Sequence, residues 1–293
     1  MKFKTILFVS IFLINFIVGV KADDLILAVL EQPQCKNNSD FMVRILFAKK
    51  NNEWISLDMQ SVGEPSDFSK VIWTAAFDGR NIGQVQTFDP QVTNSFEDTY
   101  PSAKLLQITK KTNITKIVNK NREFWGWCNA PKFRPLVLVS KPNFKDPTGW
   151  KSFPPPKKIN GQLFLEFKKV VGRVDRCLSE QESNRVTYDY QAQDLILFKS
   201  YQNVLGQKLI SIGLNPNLYK CDGIIDPQWK PYWFLIDKQI RCIGNELTLV
   251  DAGDYDNDGK SEVIFWHSGY NEDGYMLFYD NFNSTVEFYW KYH

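Results

Sequence analysis

Nine residues near the carboxyl end, Asp254-Tyr255-Asp256-Asn257-Asp258-Gly259-Lys260-Ser261-Glu262, carry the most specific chemistry in the chain. Side-chain oxygens of Asp254, Asp256, Asp258 and Glu262 stand at loop positions 1, 3, 5 and 9, Gly259 occupies the sharp bend at position 6, and the Lys260 carbonyl is offered at position 7. A set of oxygen ligands at this spacing wraps a hard cation, and the lack of nitrogen or sulfur donors selects Ca2+ over zinc or copper. Two carboxylates about 4 Å apart repel by about 4 kcal/mol at the effective dielectric of a protein surface. Four of them in one short loop are relieved by a bound cation, so folding and binding are expected to be linked. A solvated acidic turn between two strands is the simpler alternative.

The residues beyond the loop exclude an EF-hand. That motif needs a bidentate glutamate at position 12 and a helix after it, whereas the twelfth residue here is Phe265, inside the strand-like run Val263-Ile264-Phe265-Trp266. The pattern Asp254-x-Asp256-x-Asp258-Gly259-x-x-Glu262 resembles the cation loop of FG-GAP and VCBS-type repeats, the propeller repeats of integrin alpha chains and many secreted bacterial proteins. Glu262 stands where that family typically has aspartate. The resemblance covers Glu246 to Trp290 and implies a loop that ties strands of one blade, in a protein serving adhesion, recognition or scaffolding.

No catalytic signature is present: no G-x-S-x-G elbow, no H-E-x-x-H, no phosphate loop and no dinucleotide fingerprint. The chain has only two histidines, His267 and His293, and His267 beside Trp266 in a strand reads as a packed residue. Trp125, Trp127, Trp150, Trp229, Tyr232 and Trp233 suggest a second function, because a flat apolar ring with polar edges stacks on sugars. A carbohydrate-binding protein or a glycoside hydrolase with paired carboxylates is therefore the alternative reading. Core packing is the plainer role for these rings.

The elements that must position these groups are strands. With 293 residues, 43% of them hydrophobic and 15% aromatic, the chain can bury a sizeable core of β-rich character. Residues 1–22 read as a signal peptide, with Lys2 and Lys4 before an apolar run and Val20-Lys21-Ala22 as the cleavage site, which implies a secreted or periplasmic protein with no integral membrane segment after cleavage. Cleavage takes three of the 35 basic residues and none of the 33 acidic ones, turning a formal charge of +2 into −1. Such a chain lacks the basic footprint of a nucleic-acid binder. An oxidising compartment admits disulfides among Cys35, Cys128, Cys177, Cys221 and Cys242, and a Cys221 to Cys242 bridge flanking the strand 232–236 is the first expectation.

Apolar runs predict strands at 25–30, 42–48, 53–57, 71–77 and 83–88, the last four as a meander with a turn at Asp78-Gly79-Arg80-Asn81. Further strands are predicted at 136–140, 195–201, 208–214 and 232–236, and a final group at 246–250, 262–267, 275–279 and 285–290 as one antiparallel sheet. Leu163, Phe164, Phe167, Val170 and Val171 share one helix face, so a short helix is expected near 160–171, stopped by Gly172. Prolines break up a middle section at about 128–160.

The expected architecture is all-β: one domain over residues 23–293, a propeller-like arrangement of four-stranded antiparallel meanders with a calcium-binding blade at 246–290. The strand at 25–30 is expected to pair beside that blade and close a ring, while two β-sandwich units remain the alternative. The functional expectation is an exported, calcium-stabilised binding or structural module, not an enzyme, with a protein or glycan ligand.

Overall fold

The computed structural model describes residues 24–32, 34, 41–57, 71–87, 105–107, 124, 126, 130–146, 148–154, 159–179, 184–222 and 225–292. The signal segment 1–22, Cys35, Cys128, Trp125, Trp127 and His293 lie outside them. The described chain is mostly β, arranged in antiparallel sheets with one α-helix.

The N-terminal sheet contains β1 (Leu25–Glu31), β2 (Met42–Lys50), β3 (Glu53–Ser56), β4 (Ile72–Phe77), β5 (Arg80–Gln86), β6 (Leu105–Gln107) and β7 (Leu136–Val139). Its order is β3-β2-β1-β7-β4-β5, with β6 also on β2. The predicted meander is thus two separate hairpins, β2-β3 and β4-β5, held apart by β1 and β7. β1 does not pair with the C-terminal strands either; its backbone is taken up by β2 on one side and β7 on the other. The physical reason is visible in its composition. Every residue of LILAVLE is buried, as befits a central strand covered on both faces, whereas a ring-closing edge strand leaves one backbone side to be paired.

After β8 (Lys151–Ser152) comes the expected helix, α1 (Gly161–Val171). The Asn160 side chain accepts from the Leu163 N–H at 2.7 Å, Gly172 ends the helix at φ +65°, and Leu163, Phe167 and Val171 form the buried face. A small hairpin of β9 (Val174–Cys177) and β10 (Arg185–Tyr188) comes next. The middle sheet then runs through β11 (Leu195–Gln202), β12 (Lys208–Leu214), β13 (Tyr232–Ile236) and β14 (Ile240–Asn245), in the order β14-β13-β12-β11-β8. The C-terminal sheet is the expected meander of β15 (Leu247–Gly253), β16 (Glu262–Ser268), β17 (Glu272–Tyr279) and β18 (Ser284–Lys291).

The C-terminal sheet lies between the other two, which sequence order does not suggest. Ile264 and Trp266 of β16 pack with Leu27, Val29, Leu46 and Phe47 of the N-terminal sheet. Val263 and Phe265, on the opposite face, pack with Leu209, Trp233 and Leu235 of the middle sheet. This alternation explains why the run Val263-Ile264-Phe265-Trp266 is apolar at every position. The far face of the middle sheet is covered by α1, where Phe167 contacts Tyr190, Tyr232 and Phe234 edge-on or tilted.

The expected disulfide is corrected. Cys221 bonds Cys177 at the end of β9, across 44 residues, while Cys242 on β14 is a free thiol. The β9-β10 hairpin was not foreseen, and the Cys177 N–H at the end of β9 donates to the Tyr219 carbonyl at 3.2 Å, two residues before Cys221. A non-reducing digest is expected to contain a peptide linking Cys177 and Cys221. Cys177→Ser is expected to cost about 4 kcal/mol in denaturant unfolding, because the loop it frees is long.

Candidate metal centre

The acidic loop is the link between β15 and β16, and its ends are fixed from below. The Tyr255 ring is fully buried, edge-on to Phe144 with centroids 5.4 Å apart, in space that a side chain at Gly253 would fill. Around this plug the carboxylates fold the backbone. Asp254 accepts from the Asp258 and Gly259 N–H groups at 3.0 Å each, and Asp258 accepts from the Lys260 N–H at 2.8 Å. Glu262 reaches back from the start of β16 to accept from the Tyr255 N–H at 2.8 Å. Gly259 has φ +89° with open space where a Cβ would be, so the backbone angle alone calls for glycine here.

Three of the five expected ligands converge. Asp254, Asp256 and Glu262 each bring a carboxylate oxygen within 4.8 Å of the others, a group able to hold a metal ion. Asp258 is not part of this group; its side chain is exposed and turned to the Lys260 backbone. Lys260 contributes no side-chain ligand, since its ammonium pairs with Asp280 at 2.5 Å.

The electrostatics are those of anions gathered away from water. Glu262 is 1% exposed and Asp254 4%. Burial, reinforced by the Asp256 charge, pushes Glu262 up to about 9. Burial likewise lifts Asp254 to about 6, against the pull of the Gly259 N–H. A carboxyl group raised as far as that of Glu262 holds its proton at neutral pH unless a cation takes its place.

A supporting ring comes from distant parts of the chain. Lys49 of β2 pairs with Asp256 at 2.5 Å, and Asn257 donates to the Asn143 carbonyl at 2.8 Å. Asp146 accepts from Ser261 at 2.7 Å and from the Thr148 N–H and hydroxyl at 2.9 and 2.8 Å. A cleft of about 820 Å³ opens beside the loop, with Lys49, Asn51, Asn52, Lys141, Asp258 and Asp280 among its walls. None of these helpers carries a motif.

Just behind the loop, Arg134 bridges Asp78 and Asp251 at 2.9 and 3.1 Å, and the Gly79 N–H donates to Asp251 at 3.3 Å. The predicted turn at Asp78-Gly79 is therefore also a docking point. A Cβ on Gly79 would stand 2.6 Å from the Ala252 carbonyl oxygen, and its φ of +65° favours glycine as well.

The other candidates are structural. Trp150, Trp229, Tyr232 and Trp233 are buried, and the Trp229 and Trp233 indole N–H groups donate to the Asp175 and Leu247 carbonyls. Their rings pack into the cores between the sheets and under α1. His267 is mostly buried and stacked on Tyr289 at 4.7 Å, as expected of a packed residue. Among the described residues no helix is long and apolar enough to cross a membrane. Comparison with family models, curated proteins and solved structures finds no match.

Proposed function

We propose that this chain is an exported, calcium-stabilised binding or structural module with an FG-GAP/VCBS-like repeat at its carboxyl end, acting without catalysis on a protein or glycan ligand. The observation that carries the reading is the convergence of Asp254, Asp256 and Glu262 between two strands, with Glu262 buried. Calcium fits this group because all the donors are carboxylate oxygens and the loop supplies further oxygens at its rim. Asp254, Asp256 and Glu262 would hold the ion, with Asp258 and the Lys260 carbonyl as rim ligands. The ion would supply charge neutralisation where burial otherwise forces carboxyl groups to keep their protons.

A propeller-like arrangement belongs to the same reading. Its support is the face-to-face packing of three antiparallel sheets, with the four-stranded C-terminal sheet between the other two. The Cys177–Cys221 disulfide is compatible with export to an oxidising compartment. Calorimetric titration with Ca2+, and thermal melts in calcium and in chelator at matched ionic strength, test the function. Stoichiometric binding and a melting temperature several degrees higher in calcium are expected. Equal melting temperatures would remove the metal from the account.

A further inference from the structure

A cation of the chain's own sits against the loop. Lys49 lies near the end of β2, opposite Leu25 on one neighbouring strand and Trp54 on the other. Its ammonium is 2.5 Å from Asp256 Oδ2, and the two side chains are only 16% and 4% exposed. The Trp54 and Tyr279 ring centroids lie 5.3 and 5.7 Å from the same nitrogen. A lysine in water spends most of its time solvated. This one has exchanged much of that water for a carboxylate and two aromatic faces, one from the N-terminal sheet and one from the C-terminal sheet.

The loop's own lysine behaves differently. Lys260 points away, to Asp280, in a pair that is substantially exposed. Lys49 is therefore the ammonium that meets one of the three converging carboxylates, and it arrives from another sheet.

Resting on the calcium reading, we propose that Lys49 is a tethered cation of the loop: it holds Asp256 when calcium is absent and opposes calcium when it binds, so it sets the affinity of the site. Two effects act in the same direction. Without a metal, the ammonium neutralises part of the anionic cluster and stabilises the calcium-free form. With a metal, a positive charge remains a few ångströms from a dication and repels it. Removing the ammonium abolishes both, so affinity rises. Because binding free energies are reciprocal, calcium in turn weakens the Lys49 to Asp256 tie and loosens the contact between the β2-β3 hairpin and the loop.

The test is calorimetric titration of Ca2+ into the wild-type chain, Lys49→Met and Lys49→Arg, with thermal melts of each in chelator. Lys49→Met keeps the aliphatic stem between the rings and is expected to bind calcium about tenfold more tightly than wild type, while melting lower than wild type in chelator. Lys49→Arg retains the charge and is expected to stay within about threefold of wild type. Should the methionine variant not fold, Lys49→Gln carries the same expectation. Unchanged or weaker binding by the uncharged variants, with wild-type binding intact, overturns the role of Lys49 alone. A wild-type chain that binds no calcium overturns the calcium reading and this inference together.

Discussion

Arg44→Met is expected to cost about 3–5 kcal/mol, lowering the melting temperature by about 10 °C. Arg44 and Glu31 are a fully buried ion pair between adjacent strands of the N-terminal sheet, with Nε and Nη2 at 2.7 and 2.6 Å from Glu31 Oε1. The second Glu31 oxygen accepts from the Tyr275 hydroxyl of β17, and the guanidinium lies 4.2 Å from the Trp290 ring centroid. Trp290 continues the chain by donating to Tyr292 at 2.9 Å, and Tyr292 donates to Asp273 at 2.6 Å. This polar chain runs through the apolar seam between the N-terminal and C-terminal sheets. Deleting the guanidinium strands the Glu31 charge without water or counter-ion, which is the costly half of the exchange. Arg44→Met combined with Glu31→Gln is expected to recover most of the loss, because a neutral amide needs no counter-ion. Circular dichroism melts of the three proteins check this, and a loss below about 1 kcal/mol for the single variant would contradict it.

In chelator, the stability of the wild-type chain is expected to fall as pH rises from about 5 towards 9. Glu262 is held at about 9 in the folded protein, above its ordinary value of 4.5. Between those two values the folded state keeps a proton that the unfolded state has lost, so the slope of stability with pH is negative, up to about 1.4 kcal/mol per pH unit. Asp254, held at about 6, adds the same sign over a narrower window between 3.8 and 6. Calcium replaces the protons, so the gap between melts in calcium and in chelator widens from pH 5.5 to pH 8. Glu262→Gln removes the titrating group. It is expected to lose the calcium-dependent gap, about 4 kcal/mol at calcium a thousandfold above Kd, while melting no lower than wild type in chelator at pH 8. A gap that is the same at both pH values would contradict the exchange of protons for metal.

The loop was legible in the sequence because its requirements are local. Six of its nine residues have fixed jobs, and the spacing Asp-x-Asp-x-Asp-Gly with its bend at Gly259 gathers the oxygens within one short stretch. The same holds for α1, whose 3.6-residue period, Asn160 cap and Gly172 stop lie within one short stretch, and for the C-terminal meander with its tight turn at residues 280–283. What spacing did not show is that Asp258 Oδ1 accepts from the Lys260 N–H, while Asp254, Asp256 and Glu262 form the converging group. Position in a loop limits where a carboxylate can reach, but not which of several N–H groups it accepts from.

Partners of strands far apart in sequence were not legible, and the disulfide failed for the same reason. Cys221 lies 21 residues from Cys242 and 44 from Cys177, yet it bonds the more distant one. Lys49, Asn143 and Asp146 reach the loop from more than a hundred residues away in sequence. The chain alone determined most of the longer strands, though not β14 or the β9-β10 hairpin, where its helix begins and stops, and where carboxylates crowd. Those properties stem from backbone preference and burial demand within a few residues. Tertiary structure alone decided that β1 is central, that the C-terminal sheet lies between the other two, and that a lysine from β2 meets the acidic loop. An apolar strand face is satisfied by many surfaces, and only the simultaneous packing of all of them selects one.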